Sequence, residues 1–253
     1  MSPWAALAIF AAGLAAGTIN VIVGSGSLIT FPTLLALGYA PVLANVSNTV
    51  GLVPGNASAT VAYRRELGGQ RRRLVRLGSA SILGSLVGAA LLLSLPHSVF
   101  KSVVPAMIAV AAVLMAVQPR LRAGLESREG GGRPHGGAGL MVGVFITGIY
   151  GGYFGAAQGV ILIALLAIFI DDDLQRLNGT KNVLAFTANA VAALFFIATT
   201  HVSWSVAGLI ALGSIIGGQV GGRYGRRLPA EVLRWVIVVV GLAVAVGLAV
   251  EWH

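Results

Sequence analysis

The sequence predicts an all-α, polytopic integral membrane protein. We expect eight to ten transmembrane segments in two inverted repeats, with broken or re-entrant helices. Three observations support this prediction: the apolar composition, an internal duplication, and glycine-rich interruptions at matched places in the two copies. Of the 253 residues, 57% are hydrophobic and 10% are charged, and the mean hydropathy is +0.88. Soluble domains carry about a quarter charged residues, so most of this chain is expected to lie in the lipid bilayer.

Apolar blocks follow one another along the chain, and a bilayer span needs roughly 20 mostly apolar residues. The first set covers 4–23, 28–37, 40–63, 74–95 and 99–117, and the second covers 139–153, 156–170, 177–200, 202–220 and 230–250. A hydrophilic stretch rich in glycine and arginine separates the two sets. We therefore predict a first transmembrane repeat at 1–118, a cytoplasmic linker at 119–138 and a second repeat at 139–253.

The two sets are similar in sequence. Aligning GTINVIVGSGS with GIYGGYFGAAQG places Gly24 on Gly155, and a two-residue insertion then places Asn56 on Asn189. The same offset continues to the end of each set, which indicates a duplication. Duplicated halves are a common plan among secondary transporters.

The arginines indicate how the halves are oriented. They cluster in three loops, at 64–76, 120–133 and 223–227, and the positive-inside rule places such loops in the cytoplasm. Four crossings per half would put the first and third loops on opposite faces, whereas five put all three inside and invert the second half. The segment at 24–37 would be only about 21 Å long as a helix, so it either crosses obliquely or is re-entrant.

Small and polar residues interrupt the apolar sequence once in each repeat. The interruptions contain Gly24, Ser25, Gly26 and Ser27 in the first copy and Gly155, Gln158 and Gly159 in the second. Non-helical backbone is tolerated at membrane depth only where protein or a water-filled cavity covers it. A helix that restarts after such a break presents free N–H groups, and these groups attract anions. Ser25 and Ser27 can cap this helix end or donate to a ligand. The alternative, close helix packing, is favoured for the glycine pairs at 13–17, 84–88 and 217–221.

Polar side chains also open the third block of each repeat. They are Asn45 and Asn48 in the first copy and Asn178, Lys181 and Asn182 in the second. Their spacing places them on one helix face, where amide donors and one cation would suit an oxyanion. Two alternatives stay open: Lys181 can snorkel toward the aspartates at 171–173, and Asn56 and Asn189 either line the path or bond across helices.

Several functional classes are excluded or disfavoured by what the chain lacks. It has no cysteine, its four histidines show no metal-ligand spacing, and it has no phosphate-binding loop, so we expect no metal, no cofactor and no ATPase. The basic residues lie in short loops without interleaved aromatics, so we expect no nucleic-acid partner. No acidic residue is clearly mid-membrane, which disfavours a carboxylate proton relay and leaves facilitated export of an anion down the membrane potential.

The segments AGLAAGTINVIVGSGSLITFPTLLALGYAPVLANVSNTV, GIYGGYFGAAQGV, RLNGTKNV and HVSWSVAGLIALGSIIGGQVGGRYGRRLP resemble the two repeats of the TauE/SafE family of sulfite exporters and related permeases. The resemblance implies transport, often outward, of small sulfur-containing anions such as sulfite or sulfonates. It carries the family's glycine-rich element onto the two interruptions. Ser25, Ser27 and the Ala-Ala-Gln at 156–158 depart from the family's denser glycine run.

We therefore predict a multi-pass transporter of the inner (plasma) membrane that works by alternating access at a midplane site between the repeats. Its expected partners are a small anion and the lipid bilayer, and a homodimer is left open. An anion or small-solute channel is the first alternative. A membrane-embedded enzyme acting on a lipid phosphate is the second, but it would need paired titratable groups in the membrane.

Overall fold

The computed structural model describes residues 1–22, 24–126, 137–224 and 230–252, and within these ranges its regular structure is entirely α-helical. The helices are α1 Pro3–Ile22, α2 Ser27–Ala36, α3 Pro41–Ala62, α4 Arg71–Ser94, α5 His97–Glu126, α6 Ala138–Tyr153, α7 Gln158–Phe169, α8 Leu174–Thr199, α9 Trp204–Tyr224 and α10 Ala230–Trp252. The predicted linker begins as helix, because α5 continues to Glu126. Its residues 127–136, and the arginines at 226 and 227, lie outside the described ranges.

Five of these helices, α1, α4, α5, α8 and α9, are long and apolar enough to span a bilayer. This confirms the prediction of a multi-pass, all-helical membrane protein. Helices α2, α6 and α7 have 10, 16 and 12 residues. At 1.5 Å per residue, each is shorter than the roughly 30 Å hydrocarbon core.

The short helices form hairpins with their neighbours. Gly139 packs against the ring of Phe169, and Gly143 packs against Leu165. Helix α7 therefore runs back along α6 and ends beside the start of α6. In the first half, the Tyr39 hydroxyl approaches Met1 Sδ at 3.8 Å, which places the end of α2 near the start of α1.

These contacts favour the re-entrant alternative over an oblique crossing, because each hairpin returns to the side from which it began. Helix α1 is itself long and apolar enough to span a bilayer, so the number of crossings in each half stays a prediction. The arginine argument for inverted halves depends on that number and stays a prediction with it. The membrane orientation and the domain boundaries at 118 and 138 stay predictions.

Glycine seams join the two halves. Helix α1 packs on α9, and α6 packs on α4. A Cβ added to Gly17 would lie 2.3 Å from the Ser214 carbonyl oxygen, and one added to Gly88 would lie 2.0 Å from the Ile149 carbonyl oxygen. A Cβ added to Gly13, Gly84, Gly217 or Gly221 would also meet backbone of the facing helix, at 2.9, 2.1, 2.0 and 2.6 Å. This confirms that these glycines serve helix packing.

The packing pattern is unchanged when the two halves are exchanged. Helix α3 packs on α9 as α8 packs on α4, and α2 contacts α10 as α7 contacts α5. The equivalent helices α3 and α8 face each other and run antiparallel, since Thr60 reaches the Asn182 carbonyl oxygen and Tyr63 accepts from Asn178. An antiparallel relation between equivalent helices is what inverted repeats require.

Candidate functional site

Two helix breaks with the same backbone geometry form the centre of the molecule. Gly24 has a φ of 86° and Gly155 a φ of 75°, and both values lie in the left-handed region that favours glycine. The Gly24 N–H donates to the Ile19 carbonyl at 3.2 Å, and the Gly155 N–H donates to the Tyr150 carbonyl at 3.0 Å. Each bond closes the last turn of α1 or α6, so each helix ends at its glycine in the same way.

The two breaks are in direct contact. The Gly159 N–H donates to the Gly24 carbonyl at 3.1 Å, and a Cβ on either glycine would lie 2.6 Å from the Cα of the other. Side chains are excluded here because the two backbones touch. The breaks of the two repeats therefore meet in the folded chain.

Asn20 holds the first break together, and sequence reasoning missed it. Its Oδ1 accepts from the Gly26 N–H at 2.7 Å, and its Nδ2 donates to Asn56 Oδ1 at 2.9 Å. The expectation that Ser25 or Ser27 caps α2 is wrong, because α2 has no side-chain cap and the Gly26 N–H is bonded by Asn20. An asparagine one turn before a glycine, in an apolar helix, was the available signal.

A small cavity lies beside this contact. It is lined by Asn20, Gly24, Ser27, Leu52, Asn56, Ala59, Gly155, Gln158, Gly159, Lys181, Asn182, Ala185 and Asn189. Seven of the twelve predicted site residues are in this set. Asn56 and Asn189, for which two roles were open, also line the cavity.

The other five predicted residues lie outside the cavity and are bonded within the protein. Ser25 Oγ contacts Met115 Sδ at 3.5 Å, and Asn45 Nδ2 donates to the Tyr153 carbonyl at 2.9 Å. Gly26 is bonded to the Asn20 side chain, as described above. Asn178 donates to the Tyr63 hydroxyl.

The fifth of these residues, Asn48, is next to the cavity. Its Oδ1 accepts from the Thr30 hydroxyl, and its Nδ2 donates to Ser27 Oγ at 3.2 Å. Ser27 itself lines the cavity, so Asn48 orients the Ser27 hydroxyl without lining the cavity itself. A direct role for these five residues in binding stays a prediction.

Lys181 is the one charged side chain among the described residues that line the cavity. Its side chain is 1% exposed, and its Nζ has no hydrogen-bond partner in the described part of the chain. The snorkelling alternative is wrong, because the lysine is buried and Asp172 pairs with Arg73 at 2.7 Å and Arg176 at 2.9 Å instead.

Asp172 joins the two halves outside the membrane-spanning helices. It lies between α7 and α8, and its partner Arg73 is on α4. Burial raises the pKa of its carboxyl, but the hydrogen bonds from Arg73 and the Asp173 N–H, with the charges of Arg73 and Arg176, outweigh burial. The pKa of Asp172 is therefore below its ordinary value, and the carboxylate stays ionised.

Comparison with known proteins decides the family. The family model described as "Sulfite exporter TauE/SafE" matches residues 9–248, which is nearly the whole chain. The protein belongs to the TauE/SafE family. No solved structure matches it.

Relatives of this TauE/SafE protein carry transporter names. The chain is 26% identical to "Probable membrane transporter protein ORF9" of Sinorhizobium over 96% of this chain and 92% of the relative. It is 28% identical to a "Probable membrane transporter protein" of Haemophilus influenzae, over 85% and 83%. It is 26% identical to "Probable membrane transporter protein YfcA" of Escherichia coli, over 100% and 93%. The protein is therefore a multi-pass membrane transporter and not an enzyme.

Proposed function

We propose that this TauE/SafE transporter exports small sulfur-containing anions, such as sulfite or sulfonates, by alternating access. The substrate would bind in the cavity at the crossing of the two helix breaks. One observation carries the proposal: the cavity contains a buried lysine with no partner among the described residues. The inner-membrane location and a homodimeric assembly remain predictions.

The charge argument follows from the cost of burial. An unpaired ammonium in a low-dielectric site costs several kcal/mol, and a bound anion offsets that cost by pairing with it. Asn182, on the same helix face, adds an amide donor to the cavity. An oxyanion is the ligand that satisfies a cation and an amide donor together.

A carrier is favoured over a channel because the chain next to the two breaks is tightly packed. The rings of Phe31 on α2, Phe100 on α5 and Phe154 at the end of α6 form a cluster with centroid separations of 5.1 to 6.4 Å. The two breaks are also bonded to each other. A substrate path through this contact requires the halves to move apart, as rocking of one repeat against the other would allow.

The test is uptake of labelled sulfite into everted membrane vesicles, in which export appears as accumulation. We expect saturable uptake that shows counterflow and is weakened on the order of a hundredfold by Lys181→Met, because the cation partner is lost. Lys101→Met is the matched control, since Lys101 is exposed near the start of α5. Uptake unaffected by Lys181→Met would contradict the site, and flux without saturation or counterflow would indicate the channel.

A further inference from the structure

Three polar atoms without hydrogen-bond partners in the described structure line the cavity, and they specify more of the ligand than its charge. Lys181 Nζ and Asn182 Nδ2 are donors, whereas Gln158 Oε1 is an acceptor. The three residues are 1%, 4% and 2% exposed. Buried polar groups are normally paired, so all three atoms mark places that a ligand would occupy.

The orientation of the Gln158 amide is set by its surroundings. Its Nε2 lies 3.5 Å from the Thr147 carbonyl oxygen, which only accepts hydrogen bonds. The amide fits against α6 because residue 151 is glycine: a Cβ there would lie 2.3 Å from Nε2. Since the NH2 group faces the carbonyl, Oε1 is the atom left free.

The cavity also sets the number of charges. Lys181 is the one titratable side chain among its described lining residues, so it pairs a single negative charge. A dianion would bring a second charge into the protein without a partner, which is costly. An oxyanion with acceptor atoms alone would leave Gln158 Oε1 desolvated and unpaired.

We propose, on the basis of the proposed function, that the preferred substrates are singly charged oxyanions that carry their own hydrogen-bond donor. Hydrogen sulfite and hydroxysulfonates belong to this class. The anionic oxygens accept from Lys181 Nζ and Asn182 Nδ2, and the ligand hydroxyl donates to Gln158 Oε1. Gln158 is then the residue that selects for the donor.

Hydroxymethanesulfonate and ethanesulfonate test this inference, because they have equal numbers of heavy atoms and equal charge and differ in one hydroxyl. We expect titration calorimetry of the wild-type protein in nanodiscs to show at least about tenfold tighter binding of hydroxymethanesulfonate, since the analogue leaves a buried acceptor unpaired. Gln158→Met keeps the length of the side chain and should reduce the preference to less than about threefold. Ser81→Ala is the control: Ser81 is buried and bonds the Leu184 carbonyl away from the cavity, so its loss should leave the preference unchanged.

The outcomes separate this inference from the proposed function. Equal binding of the two sulfonates by the wild type, or a tenfold preference that persists in Gln158→Met, overturns the inference and leaves sulfonate transport standing. Binding of neither sulfonate and of no sulfite by the wild type overturns both. If the Gln158→Met variant does not fold, the comparison of the two sulfonates on the wild-type protein still tests the inference.

Discussion

The placement of Lys181 opposes folding, and the proposed function assigns this residue to substrate binding. A buried ammonium without a partner opposes folding, because its hydration is lost and no opposite charge replaces it. Its equivalent by sequence in the first half is Asn48, which is fully engaged with Thr30 and Ser27. The two halves therefore use the same position differently: one fixes a neighbouring hydroxyl, and the other presents a charge to the cavity.

This placement predicts an unusual stability effect. Replacing Lys181 by Met should raise the melting temperature of the ligand-free protein by several degrees, because a buried charge is removed at nearly constant volume. The same variant should lose the stabilisation that sulfite gives the wild type. Thermal unfolding in detergent, with and without sulfite, measures both effects.

Lys101→Met serves as the control, since that lysine is exposed and should change neither quantity. A variant Lys181→Met that melts lower than the wild type and still responds to sulfite would show that the lysine is a structural residue.

At the scale of elements, the crossing of the two hairpins depends on backbone contact between Gly24 and Gly159. Two separate constraints act there. Gly24 needs a positive φ, which costs roughly 1–2 kcal/mol for a residue with a Cβ, and both glycines need an absent side chain because the partner backbone is too close. Ala157, just before α7, adopts a φ of 56° despite its Cβ, which shows how firmly the packing fixes this crossing.

Three alanine substitutions separate the two constraints. Gly38 has a φ of 84° with no atom near its absent Cβ, Gly159 has the close contact without a positive φ, and Gly24 has both. We expect Gly38→Ala to cost about 1–2 kcal/mol, and Gly24→Ala and Gly159→Ala to cost more and to abolish transport. Chemical unfolding measures the stability of each variant, and vesicle uptake measures its transport. Equal losses of stability and transport in Gly24→Ala and Gly38→Ala would mean that the backbone contact between Gly24 and Gly159 is unimportant.

At the scale of the whole molecule, the hairpin of α6 and α7 lies beside the first arginine-rich loop, at 64–76. Asp172, between α7 and α8, reaches Arg73 at the start of α4. The hairpin of α6 and α7 therefore opens on the same face as the arginine-rich loop at 64–76. That face is the predicted cytoplasmic one.

Single cysteines can test this topology directly, because the natural chain has none. We expect Gly69→Cys and Asp171→Cys to react with a membrane-impermeant maleimide from the cytoplasmic side and Gly38→Cys to react from the opposite side. Right-side-out vesicles expose the outer face of the protein to the maleimide, and everted vesicles expose its cytoplasmic face. Labelling of Asp171→Cys and Gly69→Cys from opposite sides would refute the hairpin topology.

Much of this architecture was predictable because it follows from local chemistry. Apolar blocks and loop arginines predict a multi-pass membrane protein from residue types alone, and Gly24 and Gly155 stand at matched positions because each ends its helix in a left-handed conformation. Asn20 was missed because its bond to the Asn56 side chain, 36 residues along the chain, forms only in the folded protein. Asn45 was assigned to the site, but its Nδ2 is bonded to the Tyr153 carbonyl, a contact between residues 108 apart.

The sequence by itself determined the membrane class, the duplication and the two breaks, because hydrophobicity and glycine conformation act over a few neighbouring residues. Only the tertiary structure decided that α2 and α7 run back along α1 and α6, that the breaks touch, and that Lys181 is buried without an acidic partner in the described chain. These outcomes depend on which distant surfaces fill one another. Asp172, for example, pairs with Arg73 from a different part of the chain and does not pair with Lys181.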